Sequence, residues 1–240
     1  MGPALSFNQQ NPQQINNSEF KNNSTLKIKK ETIFIFDWDD TLMCTSFISF
    51  LVKNSCGLSN DEQKLAKNLG KEVSNLFKIC SKFGKIVIMT NSSNRWVKET
   101  SVNYLKLEEK EFKNIKIIST RDKYFGSEIK KDKWKELATN EILYKFENKI
   151  KNIIFASDSK SDINLYKIIA EKYKNLNVTT IKFKSKPTPL EIIREIKFVY
   201  SNINEIIGAG KNFYLIKEEH NDEPNFNFHF GSLFKYILLN

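Results

Sequence analysis

Cysteine, arginine and histidine are all scarce in this chain. The three cysteines among 240 residues, Cys44, Cys56 and Cys80, are odd in number and widely spaced. They give no disulfide framework and no CxxC pair, so a stapled secreted scaffold is excluded and a zinc site has no support. A reducing, cytoplasmic location is expected, with a mitochondrial or cytoskeletal assembly as the alternative. No window approaches an uninterrupted apolar run of membrane-spanning length, so the chain reads as soluble. Of 38 basic residues only Arg95, Arg121 and Arg194 are arginine. Base readout leans on arginine's planar fork, so the net charge of +10 does not by itself mark a nucleic-acid surface. Lysine excess together with 27 asparagines looks instead like the codon bias of an AT-rich genome, such as that of a protist. The two histidines, His220 in a charged turn and His229 on a strand-like stretch, are not expected to catalyse or to bind metal.

Residues 1–24 hold ten Asn or Gln and almost no charge, a composition too polar to build a core. They lack the Arg-rich pattern of a transit peptide and the apolar stretch of a signal peptide. Gly2 and Ser6 superficially fit a myristoylation motif, but Pro3 disfavours the acyltransferase. The expected organisation is a low-complexity extension over 1–30, a globular domain over 31–206 and a C-terminal extension over 207–240.

From residue 31 short apolar runs alternate with amphipathic stretches. Strands are predicted at Thr32–Phe36, Lys85–Thr90, Ile115–Ser119, Asn152–Ser157 and Val178–Phe183. Helices are predicted near Lys71–Phe83, Asn94–Leu105, Asp132–Phe146 and Lys160–Tyr173, with another opened by Thr188-Pro189-Leu190-Glu191. Such alternation implies right-handed crossovers. The expected fold class is α/β, a three-layer sandwich on a Rossmann-like five-stranded parallel sheet of order 5-4-1-2-3. Gly208-Ala209-Gly210-Lys211 lacks the spacing of a phosphate loop and reads as a turn. Phe226, Phe228 and Phe230 alternate with polar residues, and that segment with Ser232–Leu239 is expected to add an edge or dock on the domain.

The chemistry centres on Ile33-Phe34-Ile35-Phe36-Asp37-Trp38-Asp39-Asp40-Thr41-Leu42. An apolar strand ends in two carboxylates two residues apart, at the edge where open α/β sheets place their ligands. Acids that close perturb each other unless a cation neutralises them. A second strand ends in Thr90-Asn91. A third is followed by Ser157-Asp158-Ser159-Lys160-Ser161-Asp162, two acids spaced for a hard cation. Lysines crowd the stretch upstream of that strand, at 130, 131, 133 and 135.

These motifs, in this order, resemble the haloacid dehalogenase (HAD) superfamily over residues 31–206. FDWDDTL, the Thr90-Asn91 strand end with Arg95-Trp96-Val97, Trp134-Lys135 and Lys182-Phe183 with Pro187 further resemble uncharacterised protist and algal HAD-like proteins. The resemblance implies a magnesium-dependent phosphatase with Asp37 as nucleophile and Asp39 as general acid and base. It implies Thr90 as a donor to a phosphoryl oxygen and Lys135, or else Lys133, as the charge-balancing lysine. Magnesium would be held by Asp37, Asp158 and the carbonyl of Asp39, with Asp162 binding through water or holding the loop. Ser157 stands where that motif commonly has glycine.

The superfamily's cap domains are inserted after the first motif or after the third strand. Met43–Gly70 leaves room for one or two short helices, and Ser119–Trp134 for less, so no large cap is expected. An open site suits a macromolecular phosphorylated substrate, or a protein partner that completes the pocket. A catalytically weak or inactive accessory subunit of a larger assembly, anchored through both extensions, is the competing expectation. A nucleic-acid partner is not expected.

Overall fold

The computed structural model describes residues 31–54, 58–146 and 149–209, and the backbone of 213–216. Expectations for the 1–30 extension, Cys56, Lys211, His220, His229, Phe226–Phe230 and Ser232–Leu239 lie outside the described residues.

Six strands form one sheet: β1 (Thr32–Phe36), β2 (Lys85–Thr90), β3 (Ile115–Ser119), β4 (Asn152–Ser157), β5 (Asn177–Lys182) and β6 (Phe213–Ile216). Their order is β3-β2-β1-β4-β5-β6, and every neighbouring pair is parallel. The five expected strands are all present in the expected order, the fifth displaced by one residue. β6 adds a strand beside β5, beyond residue 206.

Side chains alternate across the sheet, as a period of two demands. In β1, Phe34 and Phe36 enter one core and Ile33 and Ile35 the other. β2 and β4 repeat the split, with Ile86, Ile88 and Ile154 on one side, and Val87, Met89 and Phe155 on the other. All five β1 residues are buried, which is why the strand reads as a continuous apolar run.

The helices are α1 (Thr45–Lys53), α2 (Asn60–Phe83), α3 (Asn94–Asn103), α4 (Thr120–Tyr124), α5 (Trp134–Lys145), α6 (Lys160–Lys172), α7 (Pro189–Ser201) and α8 (Ile203–Gly208). Leu69, Val73 and Leu76 of α2 join Ile192, Ile196 and Val199 of α7 in the first core. Ala138 and Ile142 of α5 join Ile163, Tyr166 and Ile169 of α6 in the second. The fold is therefore a three-layer α/β sandwich of the Rossmann-like kind. α2 begins earlier than expected because Ser59 and Glu62 close a reciprocal capping box. Among the described residues no cap domain is inserted. Only α1 and the first turns of α2 fill one insertion point, and α4 with a 3-10 turn at Lys131–Lys133 fills the other. No helix among the described residues is long and apolar enough to cross a membrane.

Candidate active site

The carboxyl end of β1 is central in the sheet and adjacent to both β2 and β4. Asp37 follows it directly, tied to β4 by its N–H donating to the Ala156 carbonyl at 3.0 Å. The alternation of the strand persists one step further. Trp38 is fully buried in the first core and donates its indole N–H to Thr100 Oγ1 at 3.0 Å. The carboxylates on either side of it face the site.

The chain then turns sharply. The Trp38 carbonyl accepts from the N–H groups of Thr41, Leu42 and Met43. Asp40 takes a left-handed backbone with φ 53°, a conformation that aspartate tolerates better than most residues. Its carboxylate accepts from the Ser46 N–H at 2.8 Å and from the Ser46 hydroxyl, which clasps the turn to the start of α1.

Two linked clusters result. In the first, Lys135 Nζ donates to Asp37 Oδ2 at 2.6 Å and to Asp162 Oδ2. Ser157 Oγ lies between the two acids, 3.4 Å from Asp37 Oδ2 and 3.0 Å from Asp162 Oδ2. Asp37 Oδ1 accepts from the Trp38 N–H at 2.7 Å. Lys135 is 4% exposed, whereas Lys133 is exposed and paired with Glu136. Of the two lysines weighed from the sequence, Lys135 reaches the cluster and Lys133 does not.

In the second cluster, both oxygens of Asp39 are engaged. Oδ1 accepts from Thr45 Oγ1 at 2.6 Å and from Trp96 Nε1 at 2.8 Å. Oδ2 accepts from Ser92 Oγ at 2.6 Å and from Thr90 Oγ1 at 3.3 Å. Thr90, expected as a donor to a phosphoryl oxygen, lies at the site and here donates to Asp39; Thr45, Ser92 and Trp96 were not singled out as neighbours of Asp39. Thr-Asn-Ser-Ser after β2 carried the signal for Ser92, since strand-end hydroxyls sit beside the site.

Asp158 is joined to the β1 turn by its N–H, which donates to Thr41 Oγ1 at 3.0 Å. No described side chain donates to its carboxylate. Burial, then the charges of Asp37 and Asp40, push it up to about 7. Burial also raises Asp37 to about 6, against the opposing pull of Lys135. Lys135 is held firmly charged: burial opposes its charge, but Asp37 and Asp162 outweigh that.

Asp37 and Asp162 thus share one buried ammonium, and Asp158 lies near enough for the charge of Asp37 to raise it. Their surplus negative charge and all-oxygen chemistry fit a hard divalent cation such as magnesium. Asp37, Asp158 and the Asp39 carbonyl, which accepts no hydrogen bond from a described residue, are the groups available to hold it. Asp39's carboxylate is committed elsewhere. Asp162 accepts from Lys135 and from Ser157 Oγ. Among the described residues no three His, Cys, Asp or Glu side chains are gathered as a metal cage, so any cation here would lean on a carbonyl and water.

Fold and cluster together define an α/β protein whose central strand ends in a carboxylate–lysine centre. Comparison of the chain with protein-family models, with curated proteins and with solved structures finds no match.

Proposed function

We propose that this protein is a magnesium-dependent phosphomonoester hydrolase of the HAD type, working through an aspartyl-phosphate on Asp37. The observation that carries this reading is the single buried ammonium of Lys135 shared by Asp37 after β1 and Asp162 after β4. That arrangement is costly for a merely structural purpose, because buried ion pairs rarely outperform apolar packing.

In this reading an Asp37 oxygen attacks phosphorus as the ester P–O bond breaks. Asp39, as the acid, gives its proton to the leaving oxygen. It then takes a proton from the water that attacks phosphorus and releases Asp37. Lys135 keeps Asp37 ionised and offsets the charge gathered on the phosphoryl group. Ser92 holds Asp39 in place, and Thr90, whose contact with Asp39 is the longer one, would turn its hydroxyl to a phosphoryl oxygen. Magnesium, when bound, would supply positive charge to the phosphoryl oxygens. The absence of a cap among the described residues suits a macromolecular phosphoester.

Hydrolysis of a generic aryl phosphate by the full chain, with and without magnesium, tests the reading. Magnesium-dependent turnover lost in Asp37→Asn is the expected result. No turnover with saturating magnesium overturns it in favour of a non-catalytic accessory subunit.

A further inference from the structure

β3 ends the sheet, with β2 as its one neighbour, and no described residue hydrogen-bonds to its outward backbone groups. Two hollows of about 350 and 300 Å³ lie along it. They share Lys116, Ile142 and Lys145, so they form one trough running the length of the strand. Val87, Ala138 and Ile142 line it, and Ile118 beside them is only partly covered.

The two ends of the trough differ in charge. At the lower end stand Lys85, Lys116 and Lys145, from β2, β3 and α5. All three are exposed and none is in an ion pair with a described carboxylate; Lys85 Nζ lies 3.8 Å from the centroid of the Phe146 ring, and the more distant charge of Lys116 helps hold Glu141 low. The acids of the upper end are already engaged. Asp122 accepts from the Asn94 N–H at 2.7 Å, and Glu141 accepts from Lys123 and from Tyr124 Oη at 2.8 Å. A lone edge lysine serves to block edge-to-edge pairing. Three lysines from three elements around one hollow exceed that need and leave positive charge to be met.

The upper end also leads to the catalytic cluster. Ser119, which lines the trough, donates its hydroxyl to the Ser92 carbonyl at 2.7 Å, and Ser92 Oγ donates to Asp39 at 2.6 Å.

We propose that this trough receives an extended acidic segment of a phosphoprotein substrate, which adds as a further strand beside β3. Strand addition supplies affinity through main-chain hydrogen bonds, and side-chain surroundings supply selectivity. β3 is five residues long, and a strand rises about 3.3 Å per residue. Acidic side chains roughly six residues from the phosphorylated one therefore meet the lysine end while the phosphate meets Asp37. The fate of the phosphate rests on the phosphatase reading; the docking does not.

The test uses the full chain without magnesium and fluorescent peptides carrying one phosphoserine. One set has three glutamates about six residues away, in either direction, and the other has glutamines there. The glutamate peptide of one direction should bind about tenfold more tightly than its glutamine counterpart. Lys116→Glu with Lys145→Glu should abolish that advantage, and amide exchange over Ile115–Ser119 should slow with the glutamate peptide alone. The double variant should hydrolyse aryl phosphate like the parent. If neither protein hydrolyses it, the phosphatase reading fails while the binding measurements still decide the docking. Equal affinity of the two peptide sets, or unchanged exchange over β3, overturns the proposal. So does protection of β3 by self-association, or displacement of the peptide by an oligonucleotide of equal charge at equal concentration.

Discussion

Lys135 Nζ and Asp37 Oδ2 lie 2.6 Å apart, although 98 positions separate them in the chain. Both are buried, and the same ammonium also serves Asp162. Replacing Lys135 by methionine leaves two buried acids without their cation, at a cost of about 3 kcal/mol. Adding Asp162→Asn should recover part of that loss, since one uncompensated charge is gone. Lys133→Met removes only an exposed pair with Glu136 and should stay within about 0.5 kcal/mol. Urea unfolding of the three variants checks the contrast. Equal losses from Lys133→Met and Lys135→Met would contradict it.

On the proposed reading magnesium should raise the thermal midpoint of the protein, because a ligand held at 100 times its Kd stabilises by about 2.7 kcal/mol. Asp158→Asn should act in two opposite senses. It removes a partly buried charge that faces Asp37 and Asp40, so the metal-free protein should melt higher than the parent. In the proposed site Asp158 is also a cation ligand, so on that reading the response to magnesium should shrink. A magnesium shift that survives in Asp158→Asn would place the cation elsewhere.

The first five strands could be read from the sequence almost to the residue: β1, β2 and β4 are buried along nearly their whole length and appear as apolar runs, while β3 and β5 are marked by Ile, Val and Thr despite their lysines. β6 could not. It is four residues long, and the alternating phenylalanines further on offered a louder strand pattern. The start of α2 was hidden by lysine and asparagine interleaved with its apolar positions, and its capping pair, Ser59 and Glu62, was not read. At the site, Asp37, Asp39, Asp158 and Lys135 stood out because charged residues at strand ends and helix starts are chemically conspicuous. The contacts of Ser92, Trp96 and Ser157 did not, since they reach Asp39, Asp37 or Asp162 only in the folded chain.

Gly70 lies in the middle of α2, where glycine is ordinarily a weak choice. A Cβ added there would meet the Leu105 carbonyl oxygen at 1.9 Å, a clash with backbone that no rotamer relieves. Gly70→Ala should therefore destabilise by about 3 kcal/mol through displacement of α2 from the 105 loop. Gly208, with nothing within 4 Å of its added Cβ, is the control, and Gly208→Ala should be neutral or slightly stabilising. If both substitutions behave alike in chemical denaturation, the close approach of α2 to Leu105 is not real.

Trp96 donates its indole N–H to Asp39 from the first turn of α3. Phenylalanine keeps the apolar body of that side chain and deletes the donor. On the proposed reading Trp96→Phe should lower kcat for an aryl phosphate by about tenfold, a part of the roughly 10²–10⁴-fold that a well-placed acid or base contributes. KM and the urea midpoint should change little, because Asp39 keeps its three hydroxyl donors. A variant with parental kcat would show that the indole does not position Asp39.

Glu72 makes the pH dependence of stability testable far from the site. It sits on α2 against α7, accepting from Tyr200 Oη at 2.8 Å and from Asn75 at 3.2 Å, with Lys197 Nζ at 3.4 Å. Burial alone would raise its carboxyl, but these partners outweigh burial and hold it below the ordinary glutamate range. An acid depressed in the folded state adds stability above its unfolded value of about 4.3, and loses it as pH falls through the lower folded value. Glu72→Gln keeps an acceptor for Tyr200 and removes the charge. At pH 7 the variant should be less stable by about 1 kcal/mol. Between pH 5 and about pH 3 the parent should lose that margin while the variant does not, so the two stability curves converge. Curves that stay parallel over that interval would mean the α2–α7 contact holds without the charge of Glu72.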